Sequence, residues 1–359
     1  MRELPQGVVL AGRGVAAATA AHCLVGRGVD VKSAFGGKPA PFTPPIPARP
    51  APVVMLGEQA QALLADVFAG HAALTDTLAR GHRIARRLVC WGDETPRSFP
   101  HNGLILSGER LGAALPPPQE SDSGPSAAAF TLDAVGGQGE CSMRDFGSRR
   151  AAGAPVVLTE GVDSEAVQVE TLDAGWLFLM PVGDGTGWLL SVGGDPDACL
   201  GQSRLVAPAI ATLGNVEARF ETAPRIADDL ADHAGLLIGS RAVAFDPICG
   251  DGTAMAVRGG LLAGAVAAAV CGVDRPLLDP VQDGPALGAH YRAMVIAAMR
   301  RHLAASLPFY THGGRSDWWQ EEAAALAEGH AWCTRQLAEA GEPGFVLAGD
   351  RLVRRDRVA

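Results

Sequence analysis

The stretch Leu236-Leu-Ile-Gly-Ser-Arg-Ala-Val-Ala-Phe-Asp-Pro-Ile-Cys-Gly-Asp-Gly-Thr253, followed by an Ala/Gly/Leu/Val run to Gly272, decides the fold. A short apolar strand ends at Gly239. A proline-containing, glycine-rich turn covers Asp246 to Gly252, and a long small-residue helix begins there. This order aims the unbonded N–H groups of a helix start at whatever lies above the turn, a place that favours negative charge.

Working outward, the segment Val8-Val-Leu-Ala-Gly-Arg-Gly-Val-Ala-Ala17 has the spacing Gly-x-Gly-x-x-Ala between a strand and a helix. Gly12 permits a tight turn, Gly14 lets a pyrophosphate approach the backbone, and Ala17 allows close packing of helix on sheet. A plain strand–helix turn in an Ala/Gly-rich chain is the competing reading. Residues 7–31 read as strand, turn, helix, strand, and residues 36–52, with seven prolines, as a long loop. Helical patterns follow at about 57–69 and 71–86, then a strand at Arg87–Trp91, a short strand at Leu104–Leu106 and a helix at Glu109–Leu115. Residues 116–126 read as a polar turn region, and Ala127–Val135 as a strand ending in glycines. Short strands with turn residues between them fill 155–192, with Gly183-Asp-Gly185 as a hairpin turn. The chain is mainly helical after residue 285, and no internal repeat is visible.

A third segment lies in the middle: Thr131-Leu-Asp133-Ala-Val-Gly136-Gly-Gln-Gly139, then Phe146-Gly-Ser-Arg-Arg150. The three segments, in this order, resemble the two-domain flavoprotein oxidoreductases of the aromatic-hydroxylase type. Their pattern is Gly-x-Gly-x-x-Gly, a middle Asp-Ala-x-Gly, then Gly-Asp with a downstream Pro-x-x-Gly-x-Gly. The resemblance covers residues 7–31 and 127–272. It implies an α/β fold: a Rossmann-like three-layer FAD-binding domain, an inserted mixed β-sheet substrate domain and a helical C-terminal region. The corresponding spans are 1–57, 104–150 and 223–275 for the first, 58–103 and 151–222 for the second, and 276–359 for the third. It also implies FAD, with the pyrophosphate on Gly12, Gly14 and Ala17 and the flavin ring against Asp246, Pro247, Gly250 and Gly252. Asp133, Gly136, Gly239 and Ser240 fall in the motifs beside it. Arg110 sits where the family has an arginine near the flavin. A reduced flavin carries negative charge on its N1/C2=O edge, which suits a helix start.

A narrower resemblance lies in Gly175-Trp-Leu-Phe-Leu-Met-Pro181, which is similar to the Trp-x-Trp-x-Ile-Pro element of flavin-dependent tryptophan halogenases. The tail Phe309-Tyr-Thr-His-Gly-Gly-Arg-Ser-Asp-Trp-Trp319 is similar to that branch's tail. The branch includes monooxygenases that hydroxylate a partner's tryptophan during quinone-cofactor maturation. A core strand of large apolar residues is the plainer reading of the first element. Halogenation itself is disfavoured. The halogenase lysine lies well downstream of the first glycine motif, and no lysine follows Lys38 here. Where those enzymes carry Ser-Thr-Gly beside the halide, this chain carries Gly250-Asp251-Gly252. A carboxylate about 4 Å from a halide costs on the order of 1–4 kcal/mol in water-like to surface-like dielectric.

The resemblance therefore implies an FAD-dependent monooxygenase acting through a flavin C4a-hydroperoxide on an aromatic or peptidyl-aromatic substrate. Branch members often receive reduced flavin from a separate flavin reductase. Two alternatives stay open: a flavin-linked dehydrogenase or reductase, and a non-catalytic homologue that binds a partner. The second draws on two departures from the family. The second strand runs Val31-Lys-Ser-Ala-Phe35 with no acid for the ribose, and Gly239-Ser240 stands where Gly-Asp is expected. An uncharged hydrogen bond is about half as strong as a charge-assisted one, so weakened FAD binding is expected. No side chain is assigned as catalytic base.

Bulk properties agree. The chain has 359 residues, 48% hydrophobic and 19% charged, which is globular, and its net charge of −9 argues against nucleic acid. Seven scattered cysteines, none spaced as Cys-x-x-Cys, argue against a zinc site and fit reduced thiols. Met1-Arg-Glu-Leu-Pro-Gln-Gly runs straight into Val8-Val-Leu, which reads as no secretory leader and a cytoplasmic location. Ala254–Val270 is apolar enough for a membrane span, but Arg258 and its glycines favour a buried helix. The arginines at 351, 354, 355 and 357 read as a solvated tail.

Overall fold

The computed structural model describes residues 4–33, 53–92, 95–117, 129–135, 142–274 and 278–355. The proline-rich 36–52 stretch, most of the polar 116–126 region, and Gly136 lie outside them. Val8–Ala11 forms the buried strand β1, and the Ala-rich helix α1 (Val15–Gly26) follows the glycine turn. Gly28 at φ +76° carries the chain out of the helix into β2 (Val31–Ser33), parallel to β1.

Val53–Gly57 (β3), Glu58–Val67 (α2), Ala72–Ala79 (α3), His82–Cys90 (β4), Arg97–Ser107 (β5) and Gly108–Ala114 (α4) come next. The helix expected over 71–86 ends at Ala79, and the strand expected at Leu104–Leu106 begins at Arg97. Gly81 makes the switch. A Cβ there would lie 2.6 Å from Leu104 Cγ, so the bend from α3 into β4 passes tight against β5. β3 and β4 both pair antiparallel with β5. The expected boundaries at 57 and 104 thus cut through one paired unit. The helices between them pack between the two units: Leu64, Phe68 and Leu74 share a core with Leu56, Leu104 and Leu106 of β3 and β5 and with Ala18 of α1 and Val257.

Phe130–Asp133 (β6) lies parallel to β1 on the side away from β2. Met143–Asp145 (β7), Arg150–Leu158 (β8), Ala166–Thr171 (β9), Trp176–Gly183 (β10) and Thr186–Val192 (β11) follow. Between β10 and β11, Asp184 (φ 51°) and Gly185 (φ 67°) both take positive φ, the geometry of a two-residue hairpin turn. Pro196–Leu200 (α5) precedes Ile210–Leu213 (β12) and Ala218–Glu221 (β13), which both pair with β8. The large mixed sheet runs β12-β8-β11-β10-β9-β4-β5-β3. Its two sequence blocks are joined by the parallel pair β4–β9.

Arg225–Ala227 (β14) pairs with β7 and with Val243–Ala244 (β16), and Gly235–Leu237 (β15) lies parallel to β6. The nucleotide-type sheet is therefore β15-β6-β1-β2, all parallel. Gly252–Val270 (α6) packs on α1 at small-residue contacts: a Cβ on Gly260 would sit 2.5 Å from the Ala16 carbonyl oxygen. α6 is long and apolar enough to cross a membrane, yet 61% of it is buried inside the protein, so its apolar length is accounted for by packing. Pro280–Gly313 (α7) and Asp317–Ala340 (α8) form an antiparallel pair.

The C-terminal arginines form no loose tail. Phe345–Ala348 (β17) and Arg351–Arg354 (β18) make a hairpin whose Phe345 and Leu352 are buried. Arg354 pairs with Asp283 of α7, and Arg27, past the end of α1, pairs with Asp274 and donates to the Asp350 carbonyl. Arg357 lies outside the described residues.

Candidate active site

The four parallel strands end at one edge of their sheet. The Gly12–Gly14 turn leaves that edge from β1, whose later neighbours β2 and β6 lie on opposite sides of it, the position where open α/β sheets bind ligands. Gly12 holds φ +96°, and a Cβ there would lie 2.6 Å from the Ala134 carbonyl carbon. Gly14, at φ +121°, faces open space and offers no side-chain cap. The first bond of α1 runs from Ala18 N to Gly14 O at 2.9 Å, leaving the Val15, Ala16 and Ala17 amides without helical acceptors. Ala17 is buried, as its packing role requires.

Past β15, the turn Gly239–Arg241 closes against the start of α1. A Cβ on Gly239 would lie 3.5 Å from Ala16 Cβ, and Ser240 is exposed beside it. Asp133, at the end of β6, is occupied within the protein: it pairs with Arg241 Nε at 2.7 Å and accepts from Val135 N at 2.8 Å. It fastens β6 to the turn after β15. Arg110 is exposed on α4, and among the described residues no hydrogen bond or ion pair joins it to either turn.

The second turn starts at Asp246, whose carboxylate accepts from Ile248 N at 2.9 Å. Gly250 takes φ +66°, and α6 starts at Gly252, which also faces open space. The first bond of α6 is Met255 N to Asp251 O, 2.9 Å, so the Gly252, Thr253 and Ala254 amides are free of helical acceptors. Eight residues on, Gly260 touches Ala16, about 12 Å along the axis from Gly252 at 1.5 Å per residue. One helix thus connects the two turns.

Asp246 belongs to a buried polar network rather than to the surface of the turn. Its Oδ2 lies 3.0 Å from Arg149 Nε and accepts from Tyr310 Oη at 2.7 Å, and its amide donates to His302 Nε2 at 2.8 Å. Arg149 also pairs with Glu322, which accepts from the Ser148 amide at 2.9 Å. The Arg149 guanidinium lies 4.4 Å from the Tyr310 ring centre, and Tyr310 Oη accepts from Trp176 Nε1 at 3.2 Å. Burial raises the Asp246 carboxyl above its ordinary value, against the pull of Arg149, Ile248 N and Tyr310. Burial, then the Arg149 charge, pushes His302 down to about 4, so its imidazole is neutral at pH 7. With Nε2 accepting from the Asp246 amide, the proton sits on Nδ1, 3.9 Å from Asp251 Oδ1.

Both narrow motifs meet here. Trp176 and the Phe309–Trp319 tail build an aromatic wall with Trp91, whose ring lies 5.7 Å from Phe309, 5.8 Å from Trp319 and 6.5 Å from Trp176. The Gly313-Gly314 pair between α7 and α8 is required, because a Cβ at either position would run into the Trp319 ring. Between this wall and the second turn lies a cleft of about 440 Å³, counted out to its open mouth. Pro247, Ile248 and Gly250 form one side; Arg87 and Val89 of β4 and Trp91 just past its end, with Trp176, Phe178 and Phe309, form much of the other.

Arg87, Trp91 and Arg149 are not among the site residues singled out from the sequence. The alternation 87, 89, 91 on one strand face is a signal that was present. The partners of Arg149 lie too far along the chain to be read.

No protein-family model matches the chain, and no curated protein matches its sequence. Solved structures do. The peptidyl tryptophan dihydroxylase QhpG, essential for tryptophylquinone cofactor biogenesis, superposes with a TM-score of 0.67 at 20% identity over 89% of this chain and 79% of its own. The flavin-dependent halogenase CmlS gives 0.67 at 15% identity, over 94% and 72%. The p-nitrophenol 4-monooxygenase PnpA from Pseudomonas putida gives 0.59 at 16%, over 94% and 98%. The chain has the two-domain fold that the three glycine motifs led us to expect, shared with FAD-dependent halogenases and monooxygenases.

Proposed function

We propose that the chain binds FAD and is an FAD-dependent oxidoreductase, specifically a monooxygenase of an aromatic substrate. The observation that carries this is the cleft between the Pro247–Gly250 turn and the aromatic wall, set beside a helix start with free amides. The residues present fit the cofactor. Gly12, Gly14 and the Val15–Ala17 amides would hold the pyrophosphate, the Gly239-Ser240 turn would face the ribityl chain, and Pro247–Gly252 would face the ring. Gly14 and Gly252 leave the room that a side chain would fill. When bound, FAD supplies two-electron transfer and, in its reduced form, activation of O2.

The chain's own residues bind, orient and exclude water. The start of α6 favours an anionic ring edge. Trp91, Trp176 and Phe178 present apolar faces to a flat substrate, and the Trp176–Tyr310–Asp246 hydrogen bonds fix that wall to the turn. His302 accepts a hydrogen bond from the Asp246 amide and is no free base. Asp251 stands at the start of α6, and no lysine follows Lys38, which favours hydroxylation over halogenation. The likeness to QhpG supports a peptidyl aromatic group as readily as a small molecule, and a separate flavin reductase would supply electrons. Among the described residues six cysteines are free thiols, in keeping with a reducing compartment such as the cytoplasm.

The exposed Ser240 and the acid-free Val31–Ser33 strand favour one second reading, a homologue that binds a partner without turnover. The visible spectrum of the FAD-titrated protein separates the two. A bound flavin spectrum supports the enzyme; a protein that takes up no FAD overturns it. Rapid mixing of the reduced holoprotein with O2 then tests oxygenation. A transient absorbance unlike oxidised or reduced flavin is expected, whereas slow, featureless reoxidation marks a dehydrogenase.

A further inference from the structure

Three arginines near the substrate sheet illustrate how the protein handles a guanidinium. Arg86, on the exposed face of β4, pairs with Asp163. Arg149, fully buried, is held between Asp246 and Glu322. Arg87 points the other way from Arg86 because successive strand residues alternate, and it lines the cleft. Its Nε is buried without a hydrogen-bond partner, and among the described residues no carboxylate pairs with it. Desolvation pulls its pKa down, which measures the unmet cost of the charge.

The groups that feel Arg87 offer no anion at neutral pH. Cys249 is a thiol pushed up to about 11, chiefly by burial. His101 is shifted toward its neutral form by burial and then by the Arg87 charge, and its Nε2 is buried without a partner. The rest of the cleft is apolar and aromatic. A half-buried cation at the edge of an aromatic slot, its Nε buried and with no acid paired to it among the described residues, is a half-built recognition site.

We infer that the substrate taken by this cleft is an aromatic acid, its ring between Trp91, Trp176 and Phe178 and its carboxylate paired with Arg87. This rests on the proposed function for what happens to the ring, but the recognition stands on Arg87 alone. Arg87 is then a specificity-determining residue: it selects the acid over its uncharged analogue.

The test is calorimetric titration of the full-length protein, FAD-loaded, with benzoate, phenylacetate and cinnamate and with their three amides. At least one acid is expected to bind at least about tenfold more tightly than its amide. Arg87→Met is expected to erase that preference by weakening the acid while leaving the amide within about twofold; Arg87→Lys should keep part of it. Equal binding of acid and amide, no binding by any acid up to about 10 mM, or a preference that survives Arg87→Met overturns the inference. So does an Arg87→Met protein that loses FAD affinity with its acid-to-amide ratio intact, because the guanidinium then serves the cofactor. A protein that takes up no FAD but still prefers acids would sink the proposed function and leave this inference standing.

Discussion

The sequence makes Asp246 an expected cofactor contact because it opens the second turn, and its place there is legible. Its chemistry is not. Its partners Arg149, His302 and Tyr310 lie far from it along the chain, and a buried ion pair leaves no local pattern. Asp246→Ala would leave Arg149 paired with Glu322 but would orphan the buried Tyr310 hydroxyl, the Ile248 amide and Arg149 Nε, and the expected loss is at least about 3 kcal/mol in urea unfolding. Tyr310→Phe, which removes one donor to the carboxylate, should cost about 1–3 kcal/mol. His302 supplies a pH signature. Its folded pKa, about 4, lies below the unfolded value near 6.5, so the unfolded chain binds the extra proton between them. Stability should therefore fall as pH drops from about 6.5 to about 4, by roughly 2–4 kcal/mol from this group. Thermal unfolding of His302→Gln, which keeps an acceptor for the Asp246 amide, should show a shallower acid slope. Ser240, exposed beside the first turn, makes the opposite kind of residue. Ser240→Asp should tighten FAD binding by at least about threefold, as an ionised acceptor outbids a hydroxyl; unchanged affinity would mean that the turn does not face the cofactor.

At the scale of elements, the strand–turn–helix units were readable because glycine and proline dictate backbone there. Gly12, Gly14, Gly250 and the Asp184-Gly185 hairpin all adopt positive φ where the sequence places a turn. The early part of the large sheet was readable only in part: the strands expected at 87–91 and 104–106 fall in β4 and β5, but the first halves of both were missed. β4 carries His82, Arg83, Arg86 and Arg87 in nine residues, so its sequence lacks the apolar alternation of a half-buried strand. The β18 arginines misled for the same reason: Arg354 is held by Asp283, a partner on α7. The glycine turn yields a paired prediction. Gly12→Ala should reduce thermal stability as well as FAD binding, because its Cβ would meet the Ala134 backbone. Gly14→Ala meets nothing, so its cost is backbone strain of about 1–2 kcal/mol, with FAD affinity losing more than stability. Equal effects of the two on both measurements would contradict this assignment of the turn.

At the scale of the whole molecule, the chain crosses between the parallel sheet and the large sheet several times, and the motifs marked those crossings while the boundaries at 57 and 104 did not. The elements that complete one layer are drawn from opposite ends of the sequence. α1 rests on α6, and Arg27 reaches the Asp350 carbonyl, 323 residues away. The arrangement bears on synthesis. The helix that opens the nucleotide cradle has neither of its main neighbours until most of the polypeptide has left the ribosome. Through that interval the small-residue face of α1 is uncovered and exposed to chaperones, and N-terminal fragments that stop short of α6 should aggregate rather than fold. Assembly of the cradle therefore waits on the emergence of α6, more than two hundred residues after α1.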